Sequence, residues 1–428
     1  MIGNTGILTL PNGIRVVAAP MKERKSVSIG LWVGVGGRDE DQRLGGVSHF
    51  LEHLVFKGTQ TRTANQIKEA VEGIGGSLNA FTSEECTCFL AKIASRHFEK
   101  AFDVLVDMVL HASLKAEDIH KERTVIMEEI KMTQDQPSQF VDEILTELLW
   151  PGHALGRPIA GTLETVGAMT PDEIRAYRDR YYQPPLLTVV AAGDIDGKTL
   201  ARAAESRFGH QSRPLSRRID LFGKAPEGPR LLIYPKKTEQ THLALGLHAY
   251  PKEHPDEYAL DLLSVALGGN MSSRLFNEVR EERGLAYDVG SFVRRFHETG
   301  AFVVSAGVDN RHFEEALRVI LSVLHGVARE DIGDAELERA REFYLGQLEL
   351  GLENSMNHML WIGDQLVTLG RCKTPSEVIE QVSRVRPQDL RRVARDLFTN
   401  RALHLGVVGP LEKSEEDRLR GLLQFPNA

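Results

Sequence analysis

Cysteine is scarce, at three in 428 residues. So few thiols exclude a disulfide-stapled scaffold, and Cys86-Thr87-Cys88 lacks the CxxC spacing of a redox or zinc pair. A reduced compartment fits best. Long apolar runs are also missing. No stretch reaches the roughly 18 residues of a membrane-spanning helix, so no membrane partner is expected. The opening MIGNTGILTLPNGIRVV has no basic flank leading into an apolar core, so no signal peptide is expected. Excess positive charge is absent: 52 Lys plus Arg face 60 Asp plus Glu, a net charge of −8. An acidic chain is a poor general nucleic-acid binder, so no nucleic-acid partner is expected. A dinucleotide fingerprint is incomplete, because Gly34-Val35-Gly36 is followed by Asp39 where a third glycine should stand. What remains is a globular composition, 42% hydrophobic and 26% charged, long enough for two or three domains.

The chain repeats itself once. RHFEKAFDVL at 96–105 returns as RHFEEALRVI at 311–320, an offset of 215. Gly193 closes the apolar run TVVAAG and Gly409 closes LHLGVVG, an offset of 216. GLWVGVG at 30–36 lines up with ALGLHAY at 244–250. Matches in one order at nearly one offset imply duplication. The expected domains are 1–212 and 229–428, joined by a linker over 213–228 rich in Pro, Gly and charge. Within each half, strands come first, then long helices, then a closing strand. Asn12-Gly13 between apolar runs predicts a hairpin. Thr170 before Pro171 predicts a capped helix start. The expected fold class is α+β, each half packing helices on one face of a mostly antiparallel sheet.

The chemistry lies in the first half. HFLEHLVFKGT at 49–59 sits in a helical stretch after a GGVS turn. His49 and His53 are four apart and Glu52 is three after His49, so on a helix all three share a face. Two imidazoles at this spacing can reach one Zn²⁺. Glu52 then stands beside the metal's water as a general base, the HxxEH arrangement. A catalytic zinc needs a third protein ligand. The segment EDIHKERTVIMEEIKMTQDQP, 117–137, is a predicted helix that stops before Pro137, and it offers Glu122 and Glu129 on one face and Glu128 on another. Spacing alone leaves the ligand open among these three. Cys86 and Cys88 lie in an apolar strand, where small buried hydrophobes are the default.

HFLEHLVFKGT, then GGSLNAFTSEECTCF, then ERTVIMEEIKMTQD together resemble the pitrilysin, insulysin and mitochondrial processing peptidase family. The 76 residues from His53 to Glu129 match that family's HxxEH-x75-E pattern. The resemblance implies one zinc per chain, held by His49, His53 and Glu129, with Glu122 supporting the ligands from behind. It implies an edge strand at Asn79, Ala80 and Phe81 that pairs with an extended substrate. In the second half, Arg280 and Tyr287 match the family's Arg-x6-Tyr pair, with Tyr287 expected at the oxyanion and Arg280 at a substrate carbonyl. The positions offset by 215 from the two histidines are Ser264 and Gly268, so the repeat has lost its metal site. The implied function is a zinc endopeptidase acting on peptides or unfolded polypeptide. The alternatives are presequence processing and a non-catalytic subunit of a larger complex. The family builds a clamshell from four such halves, which implies a homodimer for a two-half chain, with a heterodimer of related subunits as the lesser case. A cytoplasmic location, bacterial or archaeal sooner than mature organellar, is expected.

Overall fold

The computed structural model describes residues 6–209 and 219–426. Positions 210–218, which include part of the expected linker, lie outside the described residues. The described chain forms two compact units, each with one sheet.

In the first unit, β1 (Leu8–Thr9) and β2 (Arg15–Pro20) form the expected hairpin. Gly13 takes its turn at φ 93°. The other strands are β3 (Ser26–Val33), β4 (Ser77–Thr82), β5 (Thr87–Ala94) and β6 (Leu187–Gly193). Their order is β1-β2-β6-β3-β5-β4, with only the β2–β6 junction parallel.

The second unit has β7 (Arg230–Pro235), β8 (Gln240–Ala249), β9 (Ala286–Arg295), β10 (Gly300–Asp309) and β11 (His404–Gly409). Their order, β7-β11-β8-β10-β9, repeats β2-β6-β3-β5-β4 strand for strand, again with one parallel junction. The helices Phe98–His111 and Phe313–Arg329 follow the matched 3-10 turns in each half. The α+β class and the duplication read from the sequence describe both units.

The units do not follow the halves of the sequence. The first comprises the described residues of 1–130, 158–220 and 349–374; the second comprises those of 131–157, 221–348 and 375–428. Each therefore takes a helix from the other half. Val27, Ile29, Leu31 and Val33 of β3 face the main helical layer, while Trp32 points to the opposite face with Val190, Cys88 and Cys86. That opposite face is covered by Met359, Ile362 and Leu366 of the helix Ser355–Leu369. Gly363 permits the approach: a Cβ there would lie 2.2 Å from the Trp32 ring. In the second unit, Val141, Ile144 and Leu145 of the helix Pro137–Leu149 cover Ala244, Val303 and Val408 in the same way. The layer is thus two-sided where the sequence predicts one side. An alternating strand has two apolar faces to bury, and the exchanged helix buries the second.

Candidate metal centre

Helix α1 (Val47–Val55) is short and strongly sided. Val47, Phe50, Leu51, Leu54 and Val55 are buried, while His49, Glu52 and His53 share the half-exposed face. Burying a side chain such as Phe50 or Leu54 contributes roughly 1.5–3 kcal/mol, which seats the helix by its apolar face. Its start is unusual. Gly46 caps it at φ 94°, where a Cβ would also meet the Ala160 carbonyl oxygen at 2.6 Å. Glycine has no side chain to cap with, and Glu40 does this instead. The buried Glu40 carboxylate accepts the Gly46 N–H at 2.7 Å and the Ser48 N–H at 2.8 Å. A negative group there also complements the helix dipole. Glu40→Ala is expected to cost about 1–3 kcal/mol for each N–H left buried and unpaired. An unchanged thermal unfolding midpoint would contradict this.

Two further helices complete the frame: α2 (Ala64–Glu72), and α3 (Phe98–His111), which packs on β5. Next comes α4 (Ala116–Asp135), which stops just before Pro137 opens the following helix at its first turn. Ile119, Ile126 and Ile130 bury one face of α4. Glu122 and Glu129 present carboxylates to α1. Glu128 is exposed on another face.

His49, His53 and Glu129 bring one donor atom each within 4.8 Å of one another, the only such cluster of three among the described residues. His49 Nε2 lies 3.8 Å from Glu129 Oε1, and His53 Nε2 lies 3.5 Å from Glu129 Oε2. Ligands of a tetrahedral zinc with bonds near 2.0–2.1 Å stand about 3.3 Å apart, so this spacing and donor set fit zinc. His53 donates Nδ1–H to Glu122 Oε2 at 3.2 Å, leaving Nε2 on the Glu129 side. The buried His49 Nδ1 has no such acceptor.

Charge follows the geometry. Burial, reinforced by the nearby His53, pushes His49 down to about 4, so it is neutral near pH 7, as a metal donor must be. Burial also works downward on His53, but its hydrogen bonds to Glu129 and Glu122 outweigh it and hold His53 above the ordinary value. The hydrogen bond from His53 holds Glu129 below the usual carboxylate value. Burial raises the Glu52 carboxyl, against the hydrogen bond from Thr82. A raised carboxyl is a better proton acceptor near neutrality.

Thr82 and Glu40 carry parts of this site that the sequence reading did not single out. The Thr82 hydroxyl donates to Glu52 Oε2 at 2.7 Å. Its signal was present, since Thr82 ends the Asn79-Ala80-Phe81-Thr82 run. That run lies in β4, an edge strand as expected, with Ala80 N–H turned to the Asn79 side-chain oxygen at 2.8 Å. Phe81 packs edge-on against Trp32, with ring centroids 5.5 Å apart. Cys88 is fully buried and burial pushes its thiol well up, so it is no nucleophile.

Arg280 and Tyr287 lie in the second unit and come together there. The Arg280 guanidinium stands 4.7 Å from the Phe276 ring centroid and 4.9 Å from that of Tyr287. Arg280 lies on a π-helical segment, Phe276–Glu281, a form frequent at functional sites. Tyr287 on β9 is 74% exposed.

A family model described as insulinase (peptidase family M16) matches residues 15–163, and one described as peptidase M16 inactive domain matches residues 168–344. An uncharacterized zinc protease of Streptomyces coelicolor is 37% identical over 425 residues, 98% of this chain and 92% of that protein.

The chain belongs to peptidase family M16.

A second relative, an uncharacterized zinc protease of Bacillus subtilis, is 37% identical over 397 residues, 91% of this chain and 95% of that protein. The crystal structure of a protease from Helicobacter pylori shares the fold with a TM-score of 0.89 at 24% identity, covering 96% of this chain and all of that one. Family and site agree: the chain is a zinc metalloprotease of the M16 type.

Proposed function

We propose that this protease cleaves short or unfolded peptides, with one zinc per chain held by His49, His53 and Glu129 and with Glu52 as general base. The observation that carries the reading is the shared face of α1. It sets Glu52 beside both histidines, with Thr82 fixing the carboxylate. Zinc bound by such a set lowers the pKa of its water and polarises a carbonyl. Glu52 takes the proton of the attacking water and returns it to the departing amine. The β4 edge at Asn79, Ala80 and Phe81 receives the substrate as an added strand. Backbone pairing is indifferent to side chains, which supports broad sequence tolerance and a need for extended segments. In this reading Tyr287 donates its O–H to the developing oxyanion and Arg280 donates to a substrate carbonyl.

We infer a homodimer with two active sites, each using one chain's metal centre and the partner's Arg and Tyr. The presence of both sets in one chain supports it. A cytoplasmic location is proposed because no disulfide joins the three cysteines. Among the described residues no helix is long and apolar enough to cross a membrane.

The test is cleavage of an unstructured peptide of about 25 residues by zinc-loaded protein, with and without chelator. Activity that vanishes with chelator and returns with zinc is expected. Zinc-loaded dimer without activity on any peptide would sink the reading in favour of a non-catalytic subunit.

A further inference from the structure

The HxxEH pair is followed by Leu54-Val55-Phe56-Lys57. Lys57 N–H bonds the Leu54 carbonyl at 3.0 Å, which continues α1 by a last turn. Lys57 is four residues after His53, so their side chains lie on one side of that turn. Lys57 Nζ stands 2.8 Å from Glu122 Oε1. The other Glu122 oxygen, Oε2, receives His53 Nδ1–H at 3.2 Å. The Glu122 side chain is 8% exposed and that of Lys57 36%. A buried carboxylate is thus held at both oxygens, by an ammonium on one side and an imidazole on the other.

We propose that Lys57 is a positioning residue of the metal centre, holding the Glu122 carboxylate in one plane and so setting the tautomer and tilt of His53. This rests on the zinc-site reading above. A carboxylate pinned at one oxygen still turns about its last side-chain bond; pinned at both, it does not. With the plane fixed, Oε2 accepts from Nδ1, and once His53 gives up its other proton to bind metal the Nε2 lone pair is directed to the Glu129 side, where His53 Nε2 lies 3.5 Å from Oε2 of Glu129. Without the ammonium, Oε1 loses its partner, the plane turns, and the tautomer carrying hydrogen on Nε2 gains population. That tautomer cannot ligate through Nε2. The buried His49 Nδ1 has no comparable acceptor, so this control acts on one imidazole of the pair.

The experiment measures zinc affinity of the full chain by competition with a fluorescent chelator, and imidazole ¹⁵N spectra of the metal-free protein at alkaline pH, where His53 is neutral. Lys57→Met keeps the bulk of the stem and removes the donor. It is expected to weaken zinc binding about tenfold, the lower end of what loss of such support costs, and to shift His53 from the Nδ1–H tautomer to a mixture. Lys57→Arg should restore both. Lys68→Met, at an exposed lysine of α2, should change neither. If Lys57→Met does not fold, Lys57→Gln gives the same two readouts. Wild type that fails to bind zinc would overturn the site reading itself. Wild type that binds zinc, with Lys57→Met matching it in affinity and tautomer, would overturn the Lys57 role alone. Weakened affinity with an unchanged tautomer would also overturn it.

Discussion

Glu52→Gln should lose peptide cleavage by about a hundred- to ten-thousand-fold, the range for removal of a general base, while zinc stays bound. The amide keeps the shape and can still accept the Thr82 hydroxyl through its oxygen, so the side chain stays where Glu52 Oε2 lies, 2.7 Å from Thr82. It cannot take a proton. The histidines and Glu129 are untouched, so metal content should equal that of wild type. Stability should not fall, because Glu52 is half-buried and burial already raises its carboxyl. The paired measurement is kcat/KM on an unstructured peptide and zinc per chain by atomic absorption. Normal turnover with zinc bound would remove Glu52 from the role.

The second large effect concerns the third ligand. Glu129→Gln should weaken zinc binding by more than the roughly 10–100-fold that loss of a supporting residue costs, because the change removes an anionic donor. Three substitutions on α4 make the result specific. Glu129 faces both histidines at 3.5–3.8 Å, Glu122 meets just one of them, at the far nitrogen of His53, and Glu128 is exposed on another face. The expected order of loss is Glu129→Gln, then Glu122→Gln, then Glu128→Gln with almost none. Chelator competition on the three variants reads it directly. A larger effect at Glu128 than at Glu129 would refute the placement.

How far the site could be read from sequence follows from how local each part is. His49, Glu52 and His53 fall within five residues, so helix periodicity alone puts them on one face. Glu129 is 76 residues from His53, and spacing on α4 leaves the ligand open among Glu122, Glu128 and Glu129. Family resemblance pointed to Glu129, and the structure brings it to the two histidines. Glu40 was invisible for the opposite reason. It looks like one more charge in a polar turn, and its capping role exists only because Gly46 supplies no side chain. Lys57 and Thr82 were quoted within motifs, yet their partners, Glu122 and Glu52, are reached only through tertiary packing.

The fold divides the same way. Two halves at an offset near 215, the Asn12-Gly13 hairpin, the capped start at Thr170 and the stop before Pro137 are all local patterns, and the sequence by itself determined them. It also determined the α+β class, since strand and helix periodicities are written in each half. Only the tertiary structure decided where the helices Pro137–Leu149 and Ser355–Leu369 belong. Each is amphipathic, and an apolar face specifies that it must be buried without specifying against which sheet. The choice lies in shape: Gly363 beneath Trp32 in one unit, and Gly246 and Gly406 beneath Leu145 and Ile144 in the other. Such complementarity joins residues a hundred or more positions apart, and no local period in the chain records it.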